Sequence, residues 1–379
     1  MKAATLTRRA FLGLVAAGLA AGLAPLLAGC GVQRSTKADD LEADFAAGTG
    51  GVKEFIDSAG RRVILPTEVK RISPSGSYAQ IMLSTLCPEL LVSLSSSFSN
   101  SQAHYLGEEL LDLPVLGRYY GKNADMNYEE IIHTDPDVII DIGEAKENIA
   151  SDMDGLQKQS GLPVIFVEAT LPNMDRAYAM LGEAIGIPAT AAPLAAYVRE
   201  VLDFAELHRA EVQQRDIRVL YGAGEYGLDV VERGSVHSGA IDALGLENVA
   251  VLGDTNSTLV SIETVMNWKP DALLLSPAEG YFSEIYEDET WASIPAVKNR
   301  RVYEVPAKPY EWLNKPPSVQ TVLGLQWLGN LFVPDLYDFD IVETAQRFYE
   351  LFWHYDLNAS EARELMAAST FLSTQGGSK

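Results

Sequence analysis

Residues Gly222-Ala223-Gly224-Glu225-Tyr226-Gly227 fit the GxGxxG pattern, which holds a dinucleotide pyrophosphate when it follows a strand and opens a helix. Here the glycines run into Leu228-Asp229-Val230-Val231-Glu232-Arg233-Gly234, which reads as a second strand and a turn, so the pattern predicts a hairpin loop. A GxSxG elbow, a phosphate loop and an HExxH motif are all missing from the sequence. The five histidines, His104, His133, His208, His237 and His354, are scattered, and none pairs with another at metal-ligand spacing. Cys87 lies in an apolar, helix-like stretch and reads as a core thiol. With no catalytic constellation, neither turnover nor a resident cofactor is expected.

Polar chemistry does gather in loops that follow strand candidates. Pro74-Ser75-Gly76-Ser77-Tyr78 opens a helix and offers backbone N–H groups to a ligand. Leu116-Gly117-Arg118-Tyr119-Tyr120-Gly121 supplies a cation and two phenols between glycines. The second half offers Tyr226, Gly234-Ser235-Val236-His237-Ser238-Gly239 and Lys308-Pro309-Tyr310-Glu311-Trp312. Aromatic side chains with polar tips in such loops suit a ligand that is part apolar and part polar. The candidate binding residues are Ser75, Gly76, Ser77, Tyr78, Arg118, Tyr119, Tyr120, Tyr226, His237, Lys308, Tyr310 and Trp312.

The elements that position these loops alternate, as in an α/β protein. Strand candidates are 71–73, 91–94, 138–141, 164–167, 218–221, 272–275 and 302–305, several followed at once by Gly, Ser or Pro. Residues 191–215 form the longest helical stretch, with Pro193 in its expected first turn and an apolar stripe through Leu194, Val198, Val201 and Ala205. This helix divides a first lobe, 52–190, from a second, 216–379, which ends in helices. The halves echo each other. Asn127-Tyr128-Glu129-Glu130-Ile131-Ile132-His133-Thr134-Asp135-Pro136-Asp137 leads into one strand, and Ser261-Ile262-Glu263-Thr264-Val265-Met266-Asn267-Trp268-Lys269-Pro270-Asp271 leads into another. Each reads as a capped helix that stops before Pro-Asp, with Glu129 and Glu263 both seven residues before the proline. Two similar lobes joined by one helix leave a cleft between them.

The opening of the chain reads as an address. Residues 1–29 carry Lys2, Arg8 and Arg9 and no acid, and an apolar stretch of small residues broken by Pro25 leads to Cys30. Thr7-Arg8-Arg9-Ala10-Phe11-Leu12 resembles a twin-arginine export motif, and Leu27-Ala28-Gly29-Cys30 resembles a bacterial lipobox, which implies lipid on Cys30. Residues 30–51 are polar, small and Gly-rich, the composition of a flexible tether. The expected product is an extracytoplasmic body anchored by lipid to the outer face of the membrane. The 379-residue chain has 29 Lys plus Arg against 52 Asp plus Glu, a net charge of -23 that repels nucleic acid. Only two cysteines exclude a disulfide framework or a thiolate-rich metal site.

Several segments together resemble a known family. Asp57-x-x-Gly60-Arg61-x-Val63-x-Leu65-Pro66 followed by Lys70-Arg71-Ile72, the two Glu-to-Pro-Asp segments, and Gly234-Ser235-x-His237 with Asp242-x-x-Gly245-x-x-Asn248-Val249-Ala250 are similar to motifs of substrate-binding proteins of ABC importers for ferric siderophores, haem and cobalamin. Trp312, Pro316-Pro317-Ser318 and Gly324-x-x-Trp327-Leu328 resemble a branch that includes iron and molybdate or tungstate binders. The resemblance implies two Rossmann-like lobes joined by a single rigid helix, a ligand cleft between them, and no catalysis. It implies a monomer that captures an iron chelate, haem or cobalamin for a permease dimer with its ATPase, with Glu129 and Glu263 meeting arginines on the two permease subunits. Arg118 and Lys308 suit an anionic chelate, and Tyr119, Tyr120 or His237 are the possible direct metal ligands. The alternatives are the same fold binding molybdate or tungstate, and, third, an extracytoplasmic enzyme.

Overall fold

The computed structural model describes residues 35–120, 124–224, 226–253, 257–277, 285–313 and 316–367. The export segment, the Leu27–Cys30 box, Gly121 and Glu225 lie outside the described residues.

The expected tether holds a helix, Lys37–Ala47. Thr36 and Asp39 cap it reciprocally, and Gly48 closes it at φ 64. None of its residues is buried. Lys37 Nζ ties it to Asp135 Oδ1 at 3.0 Å and Asp137 Oδ1 at 3.2 Å. Its composition looks like a linker because local caps and distant ion pairs, not an apolar face, hold it in place.

Strands β1 (Val52–Ile56) and β2 (Arg62–Pro66) form an antiparallel hairpin. Its turn explains the Asp57-x-x-Gly60-Arg61 motif. Asp57 Oδ1 accepts the N–H groups of Ala59 and Arg61 at 3.0 and 2.9 Å, and Gly60 takes φ 74. The Arg61 guanidinium, buried with Asp57, donates to Asp57 Oδ2 at 2.9 Å and to the Val164 carbonyl at 3.0 Å. A buried pair with its hydrogen bonds filled pins the hairpin to the first lobe's sheet.

That sheet runs β3 (Ile72–Pro74), β4 (Val138–Gly143), β5 (Val164–Glu168), all parallel. The expected strand at 91–94 makes only isolated bridges, Ile72 to Leu91 and Leu94 to Val115. The second sheet holds β6 (Arg218–Ala223), β7 (Asp229–Val230), β8 (Glu247–Asn248), β9 (Ala272–Leu275) and β10 (Val302–Glu304) in the order β10-β9-β6-β7, with β8 also on β6. Strands β6 and β7 are antiparallel, so the GxGxxG segment is a hairpin, as expected. A Cβ on Gly222 would lie 2.1 Å from the Gly227 carbonyl oxygen, so close backbone approach explains that glycine.

In chain order a 27-residue helix, Pro188–Gln214, lies between the strands of the first sheet and those of the second. It begins three residues before the expected start, which places Pro193 inside it instead of in its first turn. Pro188 occupies the tolerant first-turn site. The end of the chain departs from the expected division. Phe352 packs on Tyr178 and Tyr197 with ring centroids 5.7 and 5.6 Å away, and Tyr349 meets Tyr105 at 5.5 Å. The segment 341–357 therefore shares a core with the first lobe and does not belong to the second alone.

The sequence echo is a structural one. Tyr128–His133 and Ile262–Trp268 are helices capped by the side chains of Asn127 and Ser261. Asp135 and Lys269, each just before the proline, take φ 47 and 49. Asp137 accepts the N–H groups of Lys70 and Arg71 at 2.9 and 3.1 Å, and Asp271 accepts that of Arg218 at 3.1 Å. Each Pro-Asp thus locks its helix to the start of the neighbouring parallel strand.

Candidate functional site

In open parallel sheets ligands sit beyond the carboxyl ends of the strands. There, in the first lobe, β3 hands over to the Ser77–Leu86 helix through Gly76, and β4 ends at Gly143. A hollow of about 250 Å³ lies at this edge, lined by Gly76, Ser77, Tyr78, Arg118, Tyr120 and, unforeseen, Asp141, Glu144 and Lys146. A larger hollow of about 460 Å³ lies by Ile217, Leu246 and Glu247, at the amino ends of β6 and β8, the wrong edge for a ligand.

Asp141 is a buried carboxyl in the lining of the first hollow. The Ser75 hydroxyl donates to its carboxylate. Burial raises its carboxyl above the ordinary range, while Ser75 and Lys146 work in the opposite direction. Ser75 is fully buried and committed to Asp141, so it positions the carboxylate and is not a ligand contact. The Lys146 ammonium stands 4.2 Å from the centre of the Tyr120 ring. No carboxylate lies within ion-pair distance of Arg118 or Lys146 among the described residues.

Tyr119 and Tyr120 meet edge to face at 4.7 Å. Tyr119 donates to the Asp152 carbonyl at 3.0 Å and Tyr120 to the Asp152 carboxylate at 3.1 Å. Burial, followed by nearby carboxylates, raises both phenols. Iron ligation by either phenol would have to displace its proton and its hydrogen bond to Asp152. Among the described residues no cluster of three His, Cys, Asp or Glu could hold a bare ion.

Across the chain, Ser99, Ser101 and Gln102 from the first half and Pro309, Tyr310 and Glu311 from the second line a hollow of about 280 Å³. Tyr310 is 7% exposed, and burial raises its phenol. Tyr221 donates its hydroxyl to the buried Glu311 carboxylate. A fourth hollow, a groove of about 530 Å³, joins Glu144 and Thr170 to Gly234, Ser235 and Val236 along the long helix.

Other expected contacts are not brought to these hollows. Trp312 is 0% exposed and lines none of them. A Cβ on Gly324 would lie 1.9 Å from its carbonyl oxygen, so the Trp312-to-Gly324 motif is a packing contact. Lys308 is exposed outside the hollows, and its carbonyl accepts the Tyr349 hydroxyl and the Gln320 amide. Tyr226 is 53% exposed on the hairpin, and His237 stands beside the groove without lining it. Asp141 was nonetheless visible in the sequence as a lone charge in the apolar run Val138–Ile142.

Glu129 and Glu263 are both exposed in the first turns of their helices, far apart in the chain and alike in setting. Ser261 lowers the Glu263 carboxyl by hydrogen bonding.

The model of the periplasmic binding protein family matches residues 114–309. The molybdate-binding protein MolA of Haemophilus influenzae is 28% identical over 135 residues, 35% of each chain. The match thus spans about a third of that relative's length. The high-affinity heme uptake system protein IsdE of Staphylococcus aureus is 24% identical over 224 residues, 53% of this chain and 75% of its own. Among solved structures, an ABC transporter solute binding protein from Sulfurospirillum deleyianum superposes with a TM-score of 0.74 at 24% identity, covering 83% of this chain and 99% of that one.

Proposed function

The chain belongs to the periplasmic binding protein family, whose members bind solutes and are not enzymes, and from that premise we propose that it captures an anionic metal complex and delivers it to an ABC permease with its ATPase. The observation that carries this reading is the pair of cations, Arg118 and Lys146, beside one hollow at the carboxyl edge of the first sheet. Arg118 makes no ion pair among the described residues and Lys146 meets Asp141 only beyond ion-pair distance, so both can meet charge on a ligand. Engaged phenols, and no ion-binding cluster of His, Cys, Asp or Glu among the described residues, favour a complex that brings its own metal ligands. An iron chelate or haem, with carboxylates at its rim, fits both features, and cobalamin belongs to the same class of metal complexes.

A second reading is molybdate or tungstate, favoured by the relative named for molybdate and by Ser77 and Gly76 in the same hollow. An absorbance spectrum with elemental analysis of protein from its native host separates the two. Iron chelates, haem and cobalamin are coloured, and the oxyanions are not. If neither class co-purifies and neither raises the melting temperature, both readings fail, because a ligand specific to the folded state stabilises it.

Delivery takes place outside the cytoplasm, from a monomer anchored by lipid on Cys30. Intact mass of membrane-extracted protein tests the anchor, and a mature chain that retains Leu27 overturns it. Glu129 and Glu263 dock the permease, one per lobe, and exposed rim charges steer such complexes. In Glu129→Arg with Glu263→Arg, uptake should fall while ligand binding in solution survives. Normal uptake by the folded double variant refutes the docking role.

A further inference from the structure

The two capped helices repeat each other in what they bury and what they leave in water. Ile131 and Val265, two residues after the glutamates, are both fully buried. Ile132 and Met266, three residues after them, remain 46% and 39% exposed. Positions three apart share a face of a helix, so each exposed carboxylate has an exposed apolar neighbour one turn below it. Isolated exposed apolar residues are ordinary on any surface. Here they recur at the same register in both lobes, on helices that each have a side-chain cap, a left-handed residue before the proline and a Pro-Asp anchor.

We propose that Ile132 and Met266 are the apolar anchors of the permease-docking surface, each packing against one permease subunit beside the ion pair made by its glutamate. Duplicate patches on one chain fit a partner that presents two equivalent faces, as a paired membrane protein does. Apolar contact excludes water around a charge pair and so slows dissociation, which an exposed charge alone does little to achieve. This inference rests on the docking role of Glu129 and Glu263.

The test uses purified full-length chain carrying Ile132→Cys, Met266→Cys or, as a control, Leu207→Cys, each labelled with a benzophenone maleimide. Leu207 is 75% exposed on the long helix and has no counterpart in the repeat, the native Cys87 is buried, and Cys30 is changed to Ser in every labelled chain. Irradiation with membrane vesicles of the native host should give adducts from both 132 and 266 with one integral membrane complex, and none from 207. Unlabelled wild-type chain should suppress these adducts, and Ile132→Ser with Met266→Ser should compete about tenfold less well. The melting temperature should not move, because neither side chain fills the core.

Adducts from neither position, or from only one, overturn the proposal. Competition by the double serine variant equal to wild type also overturns it. If Glu129→Arg with Glu263→Arg competes poorly at the same time, the glutamate reading stands and only the apolar anchors fail. If the arginine variant competes normally while the serine variant does not, the glutamates are not the docking points and the apolar pair is.

Discussion

Arg118, Lys146, Asp141 and Glu144 set the charge of the first-lobe hollow, two cations and two carboxyl groups, of which Asp141 is buried. If the cations meet an anionic ligand, Arg118→Ala and Lys146→Ala should each weaken binding about tenfold or more, as lost charge-assisted hydrogen bonds do. Titration of whichever ligand co-purifies, or its thermal shift, measures this. Unchanged affinity in both would remove the basis for an anionic ligand. Asp141 gives a pH signature. Its carboxyl is raised in the fold, so it favours folding below the unfolded value near 3.8. That contribution is lost as pH rises through the raised value, leaving an unfavourable buried charge at neutrality. Asp141→Asn should therefore raise the melting temperature at pH ~7 by about 2 °C or more and change it little at pH ~3.5. A lower melting temperature at both pH values would mean that the Ser75 hydrogen bond outweighs the desolvation.

The Pro-Asp ends of the two repeat helices matter more to stability than their exposure suggests. Replacing Asp137 strips an acceptor from two backbone N–H groups, and replacing Asp271 strips one from Arg218. Asp137→Ala and Asp271→Ala should each cost about 1–3 kcal/mol in denaturant unfolding, the larger loss at Asp137, which also holds Lys37. Gly324 is the stricter case. Its helix, Gln320–Phe332, passes so close to the Trp312 carbonyl that a methyl cannot enter without backbone movement. Gly324→Ala should cost about 3 kcal/mol, the upper range for overpacking. Near-wild-type stability would show that the 308–312 loop yields. Because Trp312 is sealed in this contact, ligand should not quench its fluorescence by direct contact.

At the scale of the molecule, the C-terminal segment packs into a core that also holds first-lobe residues. Tyr349, Phe352 and Trp353 are buried in the core that holds Tyr178 and Tyr197. The first lobe alone, residues 52–190, should therefore not fold cooperatively, since it would expose the faces these rings cover. Hydrogen exchange on the intact protein should show Tyr349–Trp353 protected together with β4 and β5. Exchange of that segment with the second lobe instead would contradict the shared core.

The alternation of strands and helices, the long helix, the hairpin reading of the glycines and the equivalence of the two Glu-to-Pro-Asp segments were all legible in the sequence. Each is governed by residues close in the chain: period, caps, proline and glycine. The Ser77, Tyr78, Arg118 and Tyr120 group was legible for the same reason, because strand ends in a parallel sheet converge. Partners distant in sequence could be settled only in three dimensions. Ser75 turned inward because Asp141 lies on the adjacent strand, and Trp312 became core because Gly324 leaves room for its backbone. The Lys37–Ala47 helix reads as linker until Asp135 and Asp137 are seen beside Lys37. Local pattern fixes which elements form, while packing between elements decides which polar and aromatic side chains remain for a ligand.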